Sequence, residues 1–161
     1  MTNPYRVPKR AVVADVLLTA GGPMQLRFFL SEVAETHDGP ERPSDFLGRS
    51  NRFLPAYDPS DESVMILRRD AILVLTVSEA EERPADEEAG MPGPAEAPGG
   101  MVEAVLSTGA SLHGELRYQM PEGQQRLQDF LNTTDPFLML LSDGKVRFVN
   151  KAHVVRIRMV G

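Results

Sequence analysis

The clearest pattern lies near the C-terminal end. Val155, Ile157 and Met159 alternate with Arg156 and Arg158, and a period of two puts apolar and charged side chains on opposite faces of a β-strand. Just upstream, Val146-Arg147-Phe148-Val149 forms another short run, and Ser142-Asp143-Gly144 is a turn signal linking it to the apolar stretch Phe137 to Leu141. Leu112 to Gln119 is a mixed alternation. Before it, Val102, Ala104 and Leu106 lead into a Thr108-Gly109 turn. Gln124 to Asn132 differs: Leu127, Phe130 and Leu131 stand at helical spacing, enough for one turn of helix. Five short strands in so few residues predict a small barrel or a strongly bent sheet.

The same blocks occur earlier in the chain. ADVLLTAGGPMQL from Ala14 matches VEAVLSTGASLHG from Val102. RPSDFLGRSNRFL from Arg42 matches RLQDFLNTTDPFL from Arg126. VMILRRDAILVLTV from Val64 matches VRFVNKAHVVRIRM from Val146. The separation between matching blocks shrinks in steps along the chain, so the order of blocks is kept and the length differences fall between them. An internal duplication follows as the expectation: an all-β chain with a first module over 11–77 and a second over 101–161. A module of this size is near the lower limit for an independent core, which favours packing against a neighbour.

Residues 78–100 separate the two modules. The segment holds four Pro, four Gly, seven acids and one base. It cannot bury enough apolar surface to offset its chain entropy and reads as a disordered acidic linker. The charge of the whole chain is −6. The linker carries that same charge by itself, so the remainder of the chain sums to zero.

Composition removes several classes of function. The chain has 161 residues and no cysteine, which excludes disulfides, thiolate metal sites and cysteine nucleophiles. His37, His113 and His153 do not lie at ligand spacing, so no metal site is expected. No phosphate loop, dinucleotide fingerprint or Ser-His-Asp arrangement is present, and neither an enzyme nor a cofactor is expected. No run approaches the roughly 18 apolar residues of a membrane helix, and Asp15 interrupts the apolar stretch Ala11 to Ala20. The default location is the cytoplasm, without membrane contact.

With these residues in place, the second module resembles Sm-like domains. VLSTGASLHGEL resembles the first Sm motif, DFLN is similar to its Asp…Asn element, and FVNKAHVVRIRMV resembles the closing strand–turn–strand, including the Lys and His of the Hfq type. The R-x-x-D-F-L-N core is also similar to small bacterial domains of unknown function. The resemblance implies two strongly bent, five-stranded Sm-like barrels in tandem, associating through edge strands. It also implies a nucleic-acid surface at Asp129, Asn132, Asn150, Lys151 and His153. The sequence departs from the family here: Asp129 and Asn132 are three apart instead of four, and in the first copy Gly48 replaces Asn132 while Arg68-Arg69 replace Asn150-Lys151.

Further residues invite a structural reading. Arg42 with Asp45, and Arg126 with Asp129, are i,i+3 pairs suited to fixing a turn beside buried Phe and Leu. Lys145, Arg147, Lys151, His153, Arg156 and Arg158 make the C-terminal segment basic. Alternation instead suits the solvated face of a hairpin, and Phe148 is the one ring among them. Ile72 to Val77 is apolar on both faces, where the second copy has Arg156 and Arg158 in place of Val74 and Thr76. Such a strand is usually covered on both sides. Ile72, Val74 and Thr76 are therefore expected in an interface between the copies or between chains. The function expected is non-enzymatic binding or scaffolding, with a protein partner or further copies of the chain; an RNA- or nucleotide-binding regulator is the alternative.

Overall fold

A computed structural model describes residues 9–34, 39–82, 99–117, 127–133 and 135–160. Among them the chain is all-β. Strands β1 (Lys9–Leu18), β2 (Met24–Ser31), β3 (Phe53–Asp58), β4 (Ser63–Arg68) and β5 (Ile72–Ser78) belong to the first half. Strands β6 (Gly99–Leu106), β7 (Ser111–Arg117), β8 (Phe137–Ser142), β9 (Lys145–Asn150) and β10 (Val154–Met159) belong to the second. Three short helices accompany them: α1 (Pro43–Leu47), α2 (Glu79–Glu82) and α3 (Leu127–Leu131). The helical spacing of Leu127, Phe130 and Leu131 thus forms α3.

The strands make one open, antiparallel sheet in the order β10-β6-β7-β8-β9-β5-β1-β2-β3-β4. In each half the last strand lies beside the first, and the second, third and fourth follow. The halves meet where β5 pairs with β9, with Val74 opposite Val149, Leu75 opposite Phe148 and Val77 opposite Val146. The strands at the two ends of the order are β10 and β4.

Turn chemistry sets the register of the β8–β9 hairpin. Asp143 and Gly144 both have positive φ, 52° and 73°, as a two-residue hairpin turn requires. In the β7–β8 pair the strands approach closely at Gly114. A Cβ there would lie 3.0 Å from Leu140 Cβ and 3.2 Å from the Leu141 carbonyl oxygen.

Two hydrophobic clusters form the core. The first takes Val12, Ala14, Val16, Leu26, Phe28 and Leu30 from β1 and β2, with Phe46 and Leu47 from α1. The second centres on Val102, Leu106, Leu116, Leu138 and Leu140. The clusters exchange side chains across the junction. Val146 and Phe148 of β9 belong to the first cluster, and Leu73 and Val74 of β5 to the second. A bulge makes this possible: Leu17 faces Val74 and Leu18 faces Ile72, leaving Leu73 without a partner in the β1 ladder.

The period of two in β10 predicts one buried face, but Val155 and Met159 are both exposed. The reason is twofold. A bulge at Val155 interrupts the alternation, and β10 has β6 on one side while ending the strand order on the other.

Both ends of the acidic segment belong to the fold. Ser78 ends β5, α2 follows, and Gly99 and Gly100 begin β6. Arg10 anchors α2 through a 2.6 Å ion pair with Glu81. The linker expected over 78–100 otherwise falls on 83–98, outside the described residues.

Candidate functional site

The β5–β9 junction gathers Ile72, Val74, Thr76, Asn150 and His153 of the residues singled out in the sequence. Ile72 is fully buried in the first cluster, Val74 is buried in the second, and Thr76 pairs with Arg147. With β1 on one side and β9 on the other, β5 has no solvent edge.

Asn150 locks this junction. It is 3% exposed. Its Nδ2 donates to the carbonyl oxygens of Asp70 and Ile72 at 3.2 and 2.9 Å, and its Oδ1 accepts from the Ala152 amide at 3.0 Å. A buried amide with donors and acceptor engaged stabilises the contact it spans. His153 also reaches across. Its Nε2 lies 2.9 Å from the Asp70 carbonyl oxygen, and its Nδ1 lies 3.4 Å from Ser107 Oγ.

Lys151, next to Asn150, points elsewhere. Its ammonium donates to Thr133 Oγ1 at 3.1 Å and sits 5.7 Å from the centre of the Phe130 ring. Partial burial lowers its pKa from the ordinary lysine value, against the pull of Asp135. Asp129 and Asn132 are exposed on and just after α3. The five expected nucleic-acid positions therefore divide: Asp129, Asn132 and Lys151 lie around α3, while Asn150 and His153 turn to Asp70 of the first half. Beside α3, a cleft of about 410 Å³ runs between α1 and β8, lined by Asp45, Leu47, Phe130, Asp135, Phe137 and Phe148 among others.

Asp45 fixes the start of α1. Its Oδ2 accepts from the Arg42 amide at 2.9 Å and from Arg42 Nε at 3.4 Å. Arg126, the base of the matching pair, lies outside the described residues. A polar cluster beside α1 escapes sequence reasoning because Glu41 and Arg49 follow no helical or strand spacing and Glu82 comes from 38 residues beyond Ser44. Glu41 is buried and holds Arg49 through contacts of 2.8 and 2.5 Å. Glu82 accepts from the Ser44 amide at 3.1 Å and from its hydroxyl. Burial raises the Glu82 pKa, although the Ser44 hydrogen bonds oppose the shift.

The two end strands display apolar side chains. On β4, Val64 and Ile66 are exposed; on β10, Val155 and Met159 are. The V-M-I-L run of β4 has the two-sided apolar character of β5 and could have pointed to an interface there too. Among the described residues, no group of His, Asp and Glu could hold a metal ion, and no helix is long and apolar enough to cross a membrane. No family model, curated protein or solved structure matches the chain.

Proposed function

We propose that this chain is a non-enzymatic scaffold made of two diverged copies of a small Sm-like barrel module, binding other protein chains through the edges of its sheet. Three correspondences support the duplication. Helices α1 and α3 start at Pro43 and Leu127, and the same spacing separates the starts of β3 and β8, Phe53 and Phe137. The strand order is the same in both halves. The bulges fall at Leu73 and Val155, each one position after the start of its strand, β5 or β10.

The β5–β9 junction carries the functional reading. Strand pairing and exchanged apolar side chains already join two modules within the chain, and β4 and β10 offer the same kind of surface outward. Exposed apolar edge strands invite pairing with another chain. Light scattering tests this. The expected mass is well above 17.7 kDa, from further copies or from a protein that co-purifies in fixed ratio. Ile66→Lys is expected to reduce that mass while the β-rich circular dichroism spectrum is kept. A strict monomer without a partner would refute the reading.

A second reading, an RNA- or nucleotide-binding regulator, draws on Lys151 beside Phe130 and the adjoining cleft. It predicts oligonucleotide affinity that falls steeply with salt and drops in Lys151→Ala. Failure to bind any oligonucleotide at low salt would eliminate it.

A further inference from the structure

The sheet of the first half has an apolar outward face. Register sets its residues in rows across the strands. Val13 on β1 stands opposite Arg27 on β2, Arg27 opposite Tyr57 on β3, and Tyr57 opposite Val64 on β4. Two residues along, Ala11 stands opposite Phe29 and Pro55 opposite Ile66. Side chains alternate along a strand, and the residues between these, Val12, Phe28, Ala56 and Met65, pack in or against the first cluster. Outward, Val13, Phe29, Val64 and Ile66 are 49%, 41%, 68% and 61% exposed. A contiguous exposed apolar patch of this kind marks an interaction surface. The outward face of the second half is polar instead. There Arg158 stands opposite Glu103 and Glu103 opposite His113, and ion pairs of 3.0 and 3.1 Å join the three. Charges also bound the apolar patch along the strand direction. Lys9 and Arg68 are exposed at one end, and Asp15 and Glu62 at the other.

We propose that this face is covered by the same face of a second copy, stacked sheet on sheet about a two-fold axis that runs across the strands. The contact goes beyond the edge-binding reading, since β1 and β2 each have neighbours on both sides and present no edge. An isologous contact requires the patch to be its own complement, and the charges meet that requirement. The rotation exchanges the two ends of the patch. Lys9 of each copy then meets the partner's Asp15, and Arg68 meets the partner's Glu62. The two apolar rows cover each other, with Val64 against the partner's Ile66, and the Arg27 guanidinium lies on the partner's Phe29 ring. Sheets packed face to face keep their strands within about 30° and sit about 10 Å apart, which this antiparallel stacking satisfies. Four strands about 4.8 Å apart and about 20 Å long present roughly 400 Å² in projection. Protruding side chains enlarge the accessible area toward the roughly 800 Å² per partner of a stable interface.

A charge exchange between copies tests this. Lys9 and Asp15 lie on one strand about 20 Å apart, beyond the screening distance of about 8 Å at physiological salt, so they do not pair within a chain. Lys9→Glu alone sets acid against acid at both ends of the contact, and Asp15→Lys alone sets base against base. Mixed, the two variants form a pair in which both contacts are again of opposite sign. Sedimentation equilibrium is expected to show each variant associating at least about tenfold more weakly than wild type, and the equimolar mixture recovering. Phe29→Lys, on a strand without an edge, is expected to halve the wild-type mass. The charge variants alter exposed side chains, so the test stands even if Phe29→Lys fails to fold. Weakening of both variants without recovery on mixing would overturn the stacking. Self-association unmoved by all three would overturn the face contact and leave the edge-binding reading standing. A wild-type dimer that Phe29→Lys reduces to 17.7 kDa would uphold the face contact and remove self-association through edges. A different protein lost from Phe29→Lys, without self-association, would overturn the second copy as occupant. A lone monomer would overturn both readings.

Discussion

The joined edge and the free edges use the same residue types in opposite environments. At β5 and β9, Leu73, Val77, Val146 and Phe148 are buried because each half completes the core of the other. At β4 and β10, the strands at the ends of the order, Val64, Ile66, Val155 and Met159 stand in water. Apolar character alone therefore does not separate core from surface here. What separates them is whether a strand has neighbours on both sides. The polar residues differ more. Asn150 donates from its amide to two carbonyls across the joined edge, while the free edges carry Arg68, Arg156 and Arg158, charges that disfavour chance strand pairing. Arg158 also pairs with Glu103, which in turn reaches His113, at 3.0 and 3.1 Å.

The contrast is most easily broken at the joined edge. Phe148→Ala removes a buried ring from the core of the other half and should cost about 3–5 kcal/mol. Thermal unfolding would record a fall of about 2–4 °C for each kcal/mol. A change of less than about 1 kcal/mol would mean that the halves do not depend on the exchanged side chains. Asn150→Ala removes the side-chain donor to the Ile72 carbonyl and one of the two groups that reach the Asp70 carbonyl, and should cost about 1–3 kcal/mol. Hydrogen exchange should quicken first in the β5 and β9 amides; uniform loss of protection would argue against a local lock.

Glu82 gives a smaller, pH-dependent effect of opposite sign. Its pKa is raised by burial in the folded chain, so the folded state holds this proton more tightly than the unfolded one. Stability therefore falls as pH rises from the ordinary carboxylate value through the raised one, and the cost is complete above it. Glu82→Gln should stabilise at neutral pH and make little difference in acid below the ordinary carboxylate range. Unfolding curves at two pH values check this, and a destabilised variant at neutral pH would show that the ionised carboxylate is favourable. The smallest effect is expected at the free edge. Ile66→Lys should change stability by no more than about 0.5 kcal/mol once both proteins are dilute enough for the midpoint to be independent of concentration. A larger loss would show that β4 is already part of a covered surface within one chain.

Much of the fold was legible from periodicity and turn residues. The Asp143-Gly144 turn, the helical spacing around Phe130 and the alternating strands lie where their patterns place them, because each reflects forces between near neighbours in the chain. The candidate site was less legible. Asn150, Lys151 and His153 are close in sequence and suggested one surface. The backbone sends Asn150 and His153 toward Asp70, while Lys151 swings toward Thr133. The buried carboxylates Glu41 and Glu82 and their partners Arg49 and Ser44 gave no signal, since their contacts span 8 and 38 residues.

Local pattern was enough to establish that the chain is made of strands, where it turns, and that apolar residues on both faces of β5 demand cover. These follow from local sterics and from the cost of leaving apolar surface in water. Which strand supplies that cover was settled only in the assembled sheet. So were the trade of side chains between β9 and β5 and the placing of β4 and β10 at its ends. Strand pairing is a long-range choice: the backbone groups of every strand are alike, and only assembled cores select one neighbour over another.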